Sequence, residues 1–252
     1  MSFSINNNTA GSRALNSLTR STADMSSSIE KFATGSRINS AADDASGMML
    51  ADSLGSQARG AGQMIMNANN SISIAQIKDG TLGEASSIMQ GIREKVVQAS
   101  SSALSSSERG AVQQDISKSM ESLGKLYEGA QFNGQNLLSD SPGLSSLSQI
   151  DLSSVESSQA SLVMVDDAME QTSKMRAETG STQNQLESTI NSLGSGMINS
   201  YQSESAIKDV DLAQESMNMQ QLENLRTAGL FAMAQANAQP KNVISLLSQM
   251  AA

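Results

Sequence analysis

LNSLTRSTADMSSSIEKF, residues Leu15 to Phe32, is the stretch whose reading decides the fold. Leu15, Leu18, Thr22, Met25, Ile29 and Phe32 follow one another at alternating spacings of four and three, and only Thr22 is polar. Residues at those spacings fall on one narrow stripe of a 3.6-residue helix, the pattern of a coiled-coil seam, so a second helix is needed to cover it. The stripe stops at Thr34-Gly35-Ser36, where glycine supplies the left-handed conformation that ends helices. Asp43-Asp44 then precede a new apolar pattern from Ala45, as acids do at a helix start.

Moving outward, the same spacing returns in Ala51, Leu54, Ala58, Ala61, Ile65, Ala68, Ile72 and Ala75, with alanine wherever a neighbouring helix can come close. Gly60, Gly62, Gly80, Gly83 and Gly91 weaken this helix by about 1 kcal/mol each, which packing has to offset. Ile88, Ile92 and Val96 extend it to the serine-rich run 100–107, whose hydroxyls compete for backbone groups. A third helix carries Val112, Ile116, Met120, Leu123 and Tyr127. Asn133-Gly134 is a hairpin turn signal, and residues 132–152 read as one small β-hairpin or an irregular loop around Pro142-Gly143. From Val155 the helical pattern resumes through Leu162, Val165, Met169, Leu186, Ile190, Leu193, Met197 and Tyr201, with a break at Lys208 to Asp211.

The last helix has two apolar stripes. Val210, Ala213, Met217, Phe231, Ala234 and Ala238 form one, and Leu212, Met219, Leu222, Leu230 and Met233 form the other, so burial is expected on two sides. Pro240 reads as its stop, followed by an apolar turn of Val243, Ile244, Leu246, Leu247 and Met250. The fold class is mainly α: an elongated antiparallel coiled coil or helical bundle, with at most that one hairpin.

Composition narrows function sharply. The 252 residues include no Cys, His or Trp, which excludes disulfides, thiolate nucleophiles, zinc sites built on Cys or His, and His-based triads. With 2% aromatic residues, any core consists of Leu, Ile, Val, Met and Ala. Net charge is −9, and all of the excess acid lies in the second half of the chain, against binding to nucleic acid or an anionic membrane. Asp43-Asp44, Asp166-Asp167 and the Asp209/Asp211 pair lack the further ligands of a calcium loop and read as helix caps or solvated acids. No phosphate loop or converging catalytic set is present; neither an enzyme nor a cofactor is expected. Both ends are poor in charge: before Asp24 only Arg13 and Arg20 occur, and after Glu223 only Arg226 and Lys241. Apolar seams without charge suit self-association better than a monomer surface. No run is long enough to span a membrane, and the start MSFSINNNTAGS lacks the features of a cleaved secretory signal.

Four strings carry a family resemblance: RINSAADDASG at 37–47, NANNSISIAQ at 67–76, QFNGQNLL at 131–138 and AQANAQPKNVISLL at 234–247. In this order they resemble the signature segments of bacterial flagellin, and the resemblance covers residues 1–138 and 160–252. It implies a filament subunit that polymerises into the propeller of swimming bacteria; a hook-filament junction protein of the same superfamily is the alternative. It implies an inner domain of residues 1–43 with 210–252, an outer helical bundle of 44–209, and a short serine-rich connection, 139–161, where larger relatives carry variable domains. Leu15, Leu18, Met25, Ile29, Phe32, Phe231, Val243, Leu246 and Leu247 are the residues expected to pack the filament core. The implied partners are further copies of the chain, an export chaperone, a filament cap and junction proteins, and the implied location is the extracellular flagellum, reached through the flagellar type III apparatus without a cleaved signal. Flagellins recognised by the vertebrate toll-like flagellin receptor carry a pattern like QRVRELAVQ; here it is QGIREKVVQ, with Gly91 and Lys95 replacing an arginine and a leucine beside the matching Arg93 and Glu94, and with the shorter Asp115 as the acid on the next helix.

Overall fold

The computed structural model describes residues 8–139 and 143–250, with the side chains of 240, 242–244, 246–248 and 250 outside that description. Among the described residues, six helices and one hairpin follow in order: α1 (Thr9–Thr34), α2 (Ala45–Ala99), α3 (Ser106–Gly129), β1 (Gln131–Phe132), β2 (Gln135–Asn136), α4 (Leu144–Leu147), α5 (Val155–Lys208) and α6 (Leu212–Met250). The described residues form two compact units, 8–59 with 197–250 and 60–139 with 143–196.

Helix ends sit where the sequence puts caps. Gly35 closes α1 in the left-handed region at φ 70°. The Asp44 carboxylate accepts the Gly47 N–H at 2.9 Å and opens α2, while Asp43 accepts the backbone N–H groups of Asn39 and Ser40. These hydrogen bonds hold both carboxyls below their ordinary range. Ser105 and Glu108 make a reciprocal capping box at the start of α3, and Asp211 accepts the N–H groups of Ala213 and Gln214 at the start of α6. Asp43, Asp44 and Asp211 are therefore caps, Asp166 pairs with Arg93, and Asp167 and Asp209 accept from the side chains of Gln171 and Ser205 on their own helix or at its end; among the described residues no group of three or more potential metal ligands converges.

In the 60–196 unit, α2 and α5 run antiparallel, with ion pairs from Arg93 to Asp166 at 2.6 Å and from Arg176 to Asp79 at 3.0 Å. Between them and α3 lies a core of Leu82, Met89, Ile92 and Val96 from α2, Ile116, Leu123 and Tyr127 from α3, and Val165 and Ala168 from α5. Burial pushes the Tyr127 phenol up, against a smaller opposing effect of its hydrogen bond with Thr172. The hairpin at 131–136 turns through Asn133 and Gly134, both at positive φ (51° and 79°), as the Asn-Gly signal requires.

The serine-rich connection differs from a solvated link. After the hairpin, Leu138, Leu147, Ile150 and Leu152 are buried in the same core. Gln113 pins the segment, its Nε2 donating to the Ile150 carbonyl and its Oε1 accepting the Leu152 N–H, both at 3.0 Å. Ser161 ties it to α5 by accepting the Asp151 N–H and donating to the Asp151 carbonyl. Four apolar residues scattered among serines have no period, yet each is buried against the helical core.

The inner stripe of α5 also departs from expectation. It runs through Ser158, Ser161, Val165, Ala168, Thr172 and Thr179, all buried, with Leu162 and Met169 packed at its edge. The hydroxyls escape the cost of burial by donating back along the chain, Ser158 to Ser154 O, Thr172 to Ala168 O and Thr179 to Met175 O at 2.8–2.9 Å. Leu186, Ile190, Leu193 and Met197 are half-buried as expected, but Tyr201 is exposed and Ser200 and Glu204 are the half-buried positions around it.

Pro240 does not stop α6, which continues to Met250. A proline inside a helix removes one N–H, and the carbonyl four residues earlier then needs another donor. Here that carbonyl, Ala236 O, accepts the Asn8 side-chain amide at 3.0 Å. Val243, Leu246 and Leu247 lie on this helix, with their side chains outside the described residues.

Candidate self-association surface

The 8–59 and 197–250 unit is built on α1 against α6. The pair is antiparallel: Asn8 meets Ala236, Ser21 donates to the Leu222 carbonyl at 3.4 Å, and the Ser28 hydroxyl bonds Glu215. The inward line of α1 is Gly11, Ala14, Leu18, Ser21, Met25 and Ser28, at strict three-four spacing. Opposite stand Glu215, Met219, Leu222, Gly229, Met233 and Ala236. Small residues on both lines let the Cα atoms of the two helices approach within 8 Å, and Gly229 sits directly over Leu18.

That geometry splits the seam read from Leu15 to Phe32. Leu18 and Met25 turn inward, whereas Leu15 and Ile29 remain 52% and 50% exposed and Phe32 is exposed too. The reason is angular. Leu15, Thr22 and Ile29 lie one residue past Ala14, Ser21 and Ser28, so a helix that buries the small residues rotates the large ones away from α6. On α6, Met219, Leu222 and Met233 face α1, while Leu212, Met217, Leu225, Leu230 and Phe231 are exposed, Phe231 by 73%. Leu230 therefore belongs to the outer face rather than to the stripe of Met219 and Met233. Two apolar faces exist on α6 as its sequence implies, one used within the chain and one open.

Around the link between α1 and α2, Arg37 holds the end of α5. Its N–H donates to Lys208 O, its Nη2 donates to Ile207 O, both at 2.6 Å, and Val210 N–H returns a bond to Gly35 O. Ile38 is buried beneath this exchange. The 37–47 string thus consists of cap residues and one anchor.

Further exposed apolar side chains escaped the sequence reading: Leu225 on α6, and Met49, Leu50, Met64 and Met66 on α2. Their signal was available, because each occupies a solvent-side position where a charged residue is usual. On the helix matching the receptor pattern, Glu94 is exposed, Arg93 Nε donates to Asp166 Oδ1, and Lys95 Nζ lies 3.4 Å from Asp115 Oδ2. The Asp166 carboxylate raises the Arg93 pKa still further. A Cβ at Gly91 would meet no other group within 4 Å.

No helix among the described residues is long and apolar enough to cross a membrane. Comparison with known proteins agrees with a surface built for self-association. The family model of the bacterial flagellin N-terminal helical region matches residues 5–142, and that of the C-terminal helical region matches residues 162–247. A flagellin of Halalkalibacterium halodurans is 32% identical over 87% of this chain and 90% of its own length. The flagellin of Bacillus subtilis is 29% identical over 96% of this chain and 99% of its own, and a flagellar filament core protein of Treponema maltophilum is 29% identical over 87% and 91%. With both helical regions matched in order, and with an open apolar face on each of the helices that pair its ends, this chain belongs to the bacterial flagellins, the structural and non-enzymatic subunits of the flagellar filament.

Proposed function

We propose that the chain polymerises through the outer faces of α1 and α6, with residues 1–43 and 210–252 forming the filament core and residues 44–209 the outer layer. One observation carries this reading: Leu15, Ile29, Phe32 and Phe231 are exposed on α1 and α6, while the contact between those same helices is already made by other residues, Leu18, Ser21, Met25, Met219, Leu222 and Gly229 among them. An apolar face left over after internal pairing finds burial against other copies, and one face binding a different face propagates an open helix. Val243, Leu246 and Leu247 extend the same core set. The subunit's work is mechanical, transmitting rotation along the filament that propels the cell. Export through the flagellar type III apparatus without a cleaved signal, escort by a chaperone, insertion beneath a cap and growth from junction proteins complete the route by family resemblance.

The receptor-matching helix supports weak engagement by the vertebrate flagellin receptor. Gly91 offers no guanidinium and Lys95 presents a charge where an apolar anchor is expected, and such anchors often carry much of a binding energy.

Purified chain mixed with short filament seeds tests the main reading by negative-stain microscopy. Long filaments growing from seeds are expected. Short, length-limited caps on the seeds would instead indicate a junction protein, and no growth at any concentration would refute polymerisation.

A further inference from the structure

We propose that Asn8 and Pro240 form a register lock between α1 and α6, in which the proline opens a carbonyl on one helix so that the asparagine of the other can occupy it. In an uninterrupted α-helix the Ala236 carbonyl accepts the N–H of residue 240. Proline has no N–H, so this acceptor lacks its helical donor for a covalent reason. Asn8 Nδ2 donates to Ala236 O at 3.0 Å and to Asn237 Oδ1 at 3.2 Å. The other end of the same amide works on its own helix, where Asn8 Oδ1 accepts the Gly11 N–H at 2.9 Å. A single side chain thus caps the start of α1 and fills the break in α6.

The geometry leaves little freedom. A Cβ on Gly11 would stand 2.7 Å from Asn8 Nδ2 and 3.2 Å from Asn237 Oδ1, so the amide can reach α6 only across a glycine. The seam beyond gives register marks of its own, with Gly229 over Leu18 and Ser28 bonded to Glu215, and a shift of α6 by one heptad would bring Gly229 to the place of Leu222. Only one carbonyl in α6 has been opened by a proline, because Pro240 is the sole proline of that helix. A polar pair at one point of the seam adds to these marks at the open end of α1, as single buried polar residues fix register in coiled coils.

The absence of cysteine from the chain makes register directly readable. Ser21→Cys with Leu222→Cys reports the observed pairing, and Ser21→Cys with Gly229→Cys reports a slip of one heptad; each pair is oxidised in the full chain after assembly. Asn8→Ser keeps an oxygen that caps Gly11 N–H but loses the reaching donor. In that background the ratio of observed to slipped disulfide is expected to fall roughly five-fold, the worth of one hydrogen bond. Pro240→Ala returns an N–H to Ala236 O and closes the acceptor in either register, so it should lower the ratio by a similar factor alone and add little to Asn8→Ser. If either single variant leaves the ratio within about two-fold of the parent, or if the two effects simply add, the lock is refuted. A chain that does not assemble would count against polymerisation alone, since the same disulfides can be read in the soluble chain.

Discussion

Phe231→Ala separates what holds one chain together from what joins chains. Phe231 is 73% exposed on α6, on the side away from α1, so its truncation removes little packing within the chain. Full burial of such a side chain is worth about 3 kcal/mol, and with three quarters of it still open roughly 2 kcal/mol remains to be gained when a neighbour covers it. Each added subunit gains that amount, and 2 kcal/mol corresponds to about a thirty-fold rise in the critical concentration for growth. The assay is sedimentation of seeded filaments over a concentration series, with far-ultraviolet circular dichroism of the soluble chain as control. Helix content should not fall, since alanine is the better helix former. A critical concentration within about three-fold of the parent would refute the assignment of this face to the filament core, because a gain of 2 kcal/mol could not then be lost.

Leu123→Ala, at a fully buried position on α3, should cost about 2–5 kcal/mol and lower the melting temperature of the chain by roughly ten degrees in a circular-dichroism melt; an unchanged melt would remove Leu123 from the core. The unmodified monomer should activate a toll-like flagellin-receptor reporter weakly. Gly91→Arg with Lys95→Leu, introduced where a Cβ meets no neighbour and at the expense of the Lys95–Asp115 pair, should raise the response; strong activation by the unmodified monomer would show that this helix does not control recognition. The capping carboxylates of Asp43, Asp44 and Glu108 are held below their ordinary values of 3.8 and 4.5. Their contribution is complete above those values and lost as pH falls through the lower folded ones, so an acid titration of helix content should stay flat down to about pH 5 and fall only beneath it. Loss of helix already at pH 6 would contradict the cap geometry.

Where a helix begins and ends was legible because it depends on local chemistry: Gly35 needs no neighbour to terminate α1, and Asp44, Ser105 and Asp211 satisfy N–H groups within three residues of themselves. The direction in which a helix turns its stripes was less legible. Leu15 to Phe32 spells one good seam by spacing, but the helix turns Ala14, Ser21 and Ser28 inward beside Leu18 and Met25 and leaves Leu15, Ile29 and Phe32 outside, since the partner's close approach rewards small residues that hydropathy ignores. The same blindness hid Ser158, Ser161, Thr172 and Thr179, whose hydroxyls become acceptable in a core only once their bonds to the chain's own carbonyls are made. Pro240 misled for the opposite reason. Its local cost is certain, and the compensating donor lies more than two hundred residues away at Asn8. The outer-face residues Leu15, Ile29 and Phe231 were picked out correctly as apolar, yet only the structure shows that no other part of the described chain covers them.

The long helices contain glycines that support no close approach. Around Gly60, Gly80, Gly91, Gly124, Gly180 and Gly194 a methyl group would meet nothing within 4 Å. Each replacement by alanine would add about 1 kcal/mol of helix stability without displacing an atom, so this sequence holds a large reserve of rigidity that it does not use. Helices that carry glycine at such intervals lean on packing for part of their stability, and any packing added by neighbouring copies would reinforce what the sequence has left loose.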